Sequence, residues 1–251
     1  MTKTLKFDED VLDVIRAMNW QDDGKVGKLT CGQLDRQMYE KVNKALSTMG
    51  GKWNRSIGGH VFKLDPREQV EGLIKNGSLT VEKDGFFETP ESVVKRMLEL
   101  VPLPENGELI LEPSAGLGAI AKHLRGNITL IEKNPQRCEE LRKQFKNVLC
   151  LDFLVFDPPG NENCYGRIYM NPPFEAEQDI DHICHAYGWL AEGGSMVSVM
   201  SEGPFFRDDR KANEFRSWLE DVKGQTEKLP NDAFRISDTS VQTRLICIKK
   251  Y

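Results

Sequence analysis

The sequence predicts an α/β fold, a mostly parallel sheet wound with helices over residues 85–251, behind a small α+β module over residues 1–84. Two observations carry this. Glu112, Glu132, Asp152 and Asn171 each close an apolar run and follow one another at intervals of about twenty residues. Consecutive βα units produce that spacing and line the four residues along one edge of a parallel sheet. The second observation is a change of charge. Residues 25–63 hold eight bases (Lys25, Lys28, Arg36, Lys41, Lys44, Lys52, Arg55, Lys63) against Asp35 and Glu40, or 8 − 2 = +6, in a chain of net −5.

A hydrophobic content of 39% and a charged content of 29% describe an ordinary globular chain, and no apolar run reaches membrane-spanning length. The amino terminus lacks the apolar core of a signal peptide. Six scattered cysteines without a Cys-x-x-Cys pair suggest the reduced thiols of a cytoplasmic protein. A basic front on an acidic body suits phosphate contact through one face, and equally a solvated helix.

Asp8, with Phe7 ahead of it, predicts a helix start, and Val11, Leu12, Ile15 and Met18 form its apolar stripe. Asp22-Asp23-Gly24 breaks that helix. A second is predicted from Gly32 to Met49, ended by Gly50-Gly51 as a left-handed cap. Lys52–Ser56 and His60–Lys63 flank Ile57-Gly58-Gly59 as a β-hairpin, and Asp65-Pro66 opens a short helix toward Lys75. Trp53, Arg55, His60 and Phe62 interleave cations with aromatics, which suits phosphate contact and base stacking. The same pattern suits a hairpin whose rings pack on the two helices.

Thr89 as N-cap with Pro90 at the first helical position predicts a helix through Val93, Val94, Met97, Leu98 and Val101. Leu109–Glu112 is a short strand entering the bend Pro113-Ser114-Ala115-Gly116-Leu117-Gly118, followed by a predicted helix from Ala119 to Leu124. Gly116-x-Gly118-x-x-Ala121 would also satisfy a dinucleotide fingerprint. Glu112 weighs against that: it opposes a pyrophosphate and favours a cationic ligand. Ile128–Ile131 ends in Glu132, placed to accept from ribose hydroxyls. A helix over Pro135–Phe145 and a strand over Val148–Leu151, closed by Asp152-Phe153, follow. Asp157-Pro158-Pro159-Gly160 reads as a turn before the strand Arg167–Met170. The helix from Ala176 to Leu190 is expected to face Ile180, Ile183, Cys184, Tyr187 and Leu190 inward. His182, Cys184 and His185 do not converge on one face, so no metal is expected. Ser195–Met200, a charged helix over Arg210–Leu219 and Thr243–Ile248 complete the pattern.

Asn171-Pro172-Pro173-Phe174 stands at the end of the fourth strand. The Asn side chain and the Pro172 backbone offer two carbonyl acceptors. The prolines stiffen the turn, and Phe174 adds a flat face. Two acceptors beside an aromatic plate suit a planar group carrying an NH2, such as the exocyclic amine of adenine. Chance produces such a tetrapeptide in on the order of one chain in a thousand.

The tetrapeptide resembles the catalytic motif of the amino-group methyltransferases that use S-adenosylmethionine, chiefly the DNA adenine-N6 enzymes. The resemblance implies a Rossmann-like class I methyltransferase fold with a mostly parallel seven-stranded sheet. It implies that Asn171, Pro172, Pro173 and Phe174 are catalytic, Phe174 stacking on a flipped base. Phe87-x-Thr89-Pro90 resembles the segment that wraps the methionine end of the cofactor. Glu112, Pro113, Ser114, Ala115, Gly116, Gly118, Glu132, Asp152, Phe153 and Asn171 are the other implied cofactor contacts, with Asp152 on the adenine amine and Phe153 against the ring. Phe234 is the implied second base-stacking aromatic, a place in the core fitting it equally. Gly50-Gly51-Lys52-Trp53-Asn54-Arg55, with His60-Val61-Phe62, resembles the front module of phage- and plasmid-borne methyltransferases. Lys52, Trp53, Arg55 and His60 are its candidate nucleic-acid contacts. The implied acceptor is adenine in DNA. RNA, a protein glutamine amide, or a catalytically silent nucleic-acid-binding or anti-restriction role remain as alternatives. A catalytic region little larger than the core fold leads to the expectation of a short or degenerate target.

Overall fold

The computed structural model describes residues 3–81, 87–105, 107–157, 164–234 and 242–251. Contacts divide the chain into two units, Met1–Lys83 and Asp84–Tyr251. The first runs β1 (Lys3–Lys6), α1 (Glu9–Arg16), β2 (Asn19–Gln21), β3 (Val26–Lys28), α2 (Arg36–Thr48), β4 (Lys52–Asn54), β5 (Gly59–Val61), α3 (Arg67–Asn76) and β6 (Ser78–Val81). Strands β1 and β6 pair alone, and β2-β3-β5-β4 form an antiparallel sheet. Val11, Leu12 and Ile15 of α1 pack with Val42, Ala45 and Leu46 of α2, Phe62 and Leu73.

Local chemistry sets these boundaries. Asp22, Asp23 and Gly24 take left-handed φ values of 50°, 54° and 88° and turn β2 into β3, so the expected helix breaker is a hairpin turn. Helix α2 begins beyond Gly32 because the Asp35 side chain accepts from Met38 N. Gly50, at φ 88°, ends it as the sequence suggests. Asp8 stands at the start of α1 without capping it, and its carboxylate takes Lys41 Nζ at 2.7 Å instead.

The second unit contains α4 (Glu91–Leu100), β7 (Leu109–Pro113), β8 (Asn127–Glu132), α5 (Pro135–Arg142), β9 (Val148–Cys150), β10 (Tyr165–Met170), α6 (Gln178–Trp189), β11 (Leu190–Ser201), α7 (Arg210–Asp221), β12 (Gln225–Lys228) and β13 (Thr243–Lys249). Its seven strands lie in the order β12-β13-β11-β10-β7-β8-β9, all parallel except β13. Alternate residues of β11 enter opposite cores. Met196 and Met200 pack with Trp189 and Phe215, while Val197 and Val199 pack with Val94, Met97 and Tyr169. The chain winds outward from β7 through β8 to β9, then returns to lay β10 on the other side of β7. That reversal opens a crevice at the strands' carboxyl ends.

Several expectations are corrected. A 3-10 turn, Ala121–His123, follows the glycine bend in place of the expected helix. Pro90, not Thr89, stands at the N-cap of α4, and no side chain caps that helix. Ala176 and Glu177 take φ of 52° and 58°, and α6 begins at Gln178; Ile180 and Ile183 face inward as expected, joined by Ala186 and Trp189. Cys184, expected in that stripe, is exposed. The residues expected to form a turn at 158–160 lie outside the described ones. Among the described residues no helix is long and apolar enough to cross a membrane.

Candidate active site

An open cleft lies at the carboxyl ends of β7, β8, β9 and β10, and its wall includes Glu112, Glu132, Asp152 and Asn171. The four residues singled out by their spacing thus meet around one space. Phe87, Thr89, Ser114, Ala115, Phe153 and Pro173 join them. Gly116 and Gly118, at φ 60° and 79°, shape the bend without standing on the wall, and Ser114 is held at φ 58°, a conformation costly for a residue with a Cβ. Pro90, Pro113, Pro172 and Phe174 also lie off the wall. Phe174 stacks on Phe87, with centroids 6.2 Å apart and planes inclined by 17°.

Asn171 Nδ2 donates to the Phe87 carbonyl at 2.9 Å and to Thr89 Oγ1 at 3.0 Å. A carbonyl oxygen only accepts, so this contact fixes which end of the amide is nitrogen. Asn171 Oδ1 is then left buried with no hydrogen-bond partner among the described residues. An orphaned buried acceptor costs about 1–3 kcal/mol and is rare in a finished fold. Thr89, expected as a helix cap, is the residue that aims this amide.

Glu112 is 2% exposed, and its Oε2 also has no partner among the described residues. Burial, with repulsion from Glu132 added, holds its carboxyl well above the ordinary range against a backbone N–H donated by Ala121. Glu132, 4% exposed, is satisfied in the opposite sense. Its Oε2 accepts from Gly116 N at 2.8 Å, and its Oε1 accepts from Asn134 N at 2.8 Å and Arg137 Nε at 3.1 Å. Arg137 Nη2, also 3.1 Å from Oε1, completes a buried ion pair. Oε1 is therefore filled, and room for a ribose hydroxyl remains at Oε2. Asp152 Oδ1 accepts from Leu154 N at 2.9 Å.

No family model matches the chain, and no curated protein matches it. Among solved structures it is similar to a type I restriction-modification methyltransferase subunit from Streptococcus thermophilus, at 21% identity and TM-score 0.58 over 74% of this chain. The match spans 48%, about half, of that longer protein. The fold is that of the Rossmann-like methyltransferases. A 23S rRNA methyltransferase, ErmE (17% identity, 66% of this chain and 70% of that one, TM-score 0.49), and a dimethyladenosine transferase from Plasmodium falciparum (12%, 66% and 64%, 0.48) are more distant and carry no weight here.

Two expected contacts, one in each unit, are corrected. Phe234 is 2% exposed and fills the core beside Val94 and Tyr169, leaving no ring face open to a base. His60 is wholly buried, with Nε2 2.9 Å from Asn43 Oδ1 and its ring against Trp53. Trp53 remains 46% exposed, beside exposed Lys52 and Arg55. Arg137 and His182, both on the cavity wall, were not expected there. Asn134 capping α5 brings Arg137 back to the tip of β8, a signal present in Asn134-Pro135. The sequence offers His182 only as a metal ligand. Among the described residues no three His, Cys, Asp or Glu side chains are grouped to hold an ion.

Proposed function

We propose that the protein transfers a methyl group from S-adenosylmethionine to the N6 amine of adenine in DNA, at a short or degenerate target. Residues 85–251 form the catalytic domain in this reading, and residues 1–84 an accessory module that contacts nucleic acid through Lys52, Trp53 and Arg55. One observation carries it: the buried, partnerless Oδ1 of Asn171, held at the cavity by Phe87 and Thr89. Such an acceptor lacks an N–H, and an amine supplies one. The Asn-Pro-Pro-Phe motif and the likeness to a restriction-modification methyltransferase subunit support DNA adenine as the acceptor.

The cavity suits this cofactor. The orphaned Oε2 of Glu112 suits an ammonium, Glu132 Oε2 a ribose hydroxyl, and Asp152 an adenine amine. When bound, S-adenosylmethionine supplies a methyl group already activated on a sulfonium. The protein's task is the weak nucleophile, whose lone pair is delocalised into the purine. Asn171 Oδ1 and the Pro172 carbonyl accept from the target amine, favour a pyramidal nitrogen, and stabilise its charge as it becomes positive. Positioning within the stiff Pro172-Pro173 turn supplies much of the remaining acceleration. A duplex adenine must first leave the helical stack, and Phe174 offers its ring to it.

The test is transfer of labelled methyl from S-adenosylmethionine to DNA, RNA and protein acceptors, with the product identified as a nucleoside or peptide. N6-methyladenine in DNA is the expected product. Label in RNA or on a glutamine amide would replace the acceptor, and failure to bind the cofactor would refute the reading.

A further inference from the structure

We infer that His182 selects the purine of the bound cofactor, its Nε2 accepting from an exocyclic amine beside Asp152. This rests on the cavity being the cofactor's seat. His182 lies on α6, is 4% exposed, and stands on the cavity wall with Asp152 and Phe153. Its Nδ1 is 2.8 Å from the carbonyl of Gln178, one helical turn earlier. Only a protonated nitrogen makes that contact, so Nδ1 carries the hydrogen. Burial pushes the imidazole's pKa below its ordinary value and keeps the ring neutral near pH 7. A neutral ring has one N–H, and Nε2 is therefore a lone-pair acceptor.

The acceptor is held in place and unused. The ring packs on Phe153 with centroids 5.7 Å apart and planes inclined by 40°. No described residue bonds to Nε2. Asp152, which follows β9, spends Oδ1 on the Leu154 N–H, and no described residue bonds to its Oδ2. Two acceptors from two elements, Asp152 on the strand-end turn and His182 on α6, thus stand at one part of the wall. An amino group carries two N–H donors and satisfies both. A 6-oxo purine turns an oxygen toward the same lone pairs and is rejected. A metal role is poorly served, since Cys184 is exposed and His185 Nε2 lies 3.2 Å from both the Phe156 carbonyl and Trp189 Nε1.

The experiment is calorimetric titration of the full chain with S-adenosylhomocysteine and with S-inosylhomocysteine, for the wild type, His182→Leu and His182→Gln. The wild type should favour the adenosyl compound by roughly 10–100-fold. In His182→Leu that preference should fall about tenfold, through weaker adenosyl binding with inosyl binding held or strengthened as the lone-pair repulsion is removed. His182→Gln, which restores a carbonyl acceptor, should keep adenosyl affinity within about threefold. An unchanged preference in His182→Leu, or equal weakening of both ligands, overturns the inference and leaves the cofactor reading standing. Binding of neither compound by the wild type overturns the cofactor reading itself.

Discussion

Replacing Asn171 by alanine separates chemistry from cofactor binding. The substitution removes Oδ1, which in the proposed reaction faces an amine turning into a cation. A single preorganised hydrogen-bonding group aimed at developing charge is worth about 10²–10³ in kcat, or roughly 2.7–4 kcal/mol. The other end of the amide matters as well. Without Nδ2, the Phe87 carbonyl loses its 2.9 Å donor and Thr89 Oγ1 its 3.0 Å donor. Losing those donors offsets relief of the orphaned Oδ1, so global stability should change by no more than about 1–3 kcal/mol. Single-turnover methyl transfer reads the first effect, urea denaturation the second, and calorimetry the cofactor affinity. The expected pattern is a loss of about 10²–10³ in the transfer rate with cofactor affinity within about threefold. A rate loss below tenfold, or cofactor affinity lost in parallel, would refute the role given to Oδ1.

Three further outcomes follow from the same geometry. Burial holds the Glu112 carboxyl well above the ordinary range in the free protein, whereas a bound ammonium favours the carboxylate. Cofactor binding should therefore release a proton, with affinity rising as pH climbs above the ordinary carboxylate range and levelling once the free carboxyl ionises. Calorimetry in buffers of different ionisation heat reads this, and Glu112→Gln should abolish it. Arg137→Ala leaves the Glu132 charge buried without its partner and should cost about 3–5 kcal/mol in chemical denaturation, part of it recovered by adding Glu132→Gln. Trp53→Ala with Arg55→Ala should weaken nucleic-acid binding several-fold and flatten its salt dependence while cofactor affinity stays unchanged.

The strand-end residues were legible because a chemical requirement and a period coincide in them. Glu112, Glu132, Asp152 and Asn171 each stop an apolar run, and the βα repeat then places them together. Strands β2 and β3, three residues each, are too short for any period to register. Strand β12, Gln225-Thr226-Glu227-Lys228, is a polar sheet edge with no apolar signal at all. Thr89 looked like a helix cap because its nearest sequence context is a helix start, yet its partner lies 82 residues away. His60 and Phe234 matched the composition of contact residues, and only tertiary packing reveals that both are enclosed. Cys184 shares helical spacing with Ile180 and Ile183, but the side of α6 that meets the core runs through Ala186 and Trp189 and leaves it exposed.

The most direct measurement is a structure of the protein with sinefungin and an adenine-containing oligonucleotide. The account predicts the target amine about 3 Å from both Asn171 Oδ1 and the Pro172 carbonyl, with the Glu112 carboxylate facing the ammonium of the analogue. An Asn171 Oδ1 satisfied by a protein donor, or turned away from the analogue's seat, would contradict it.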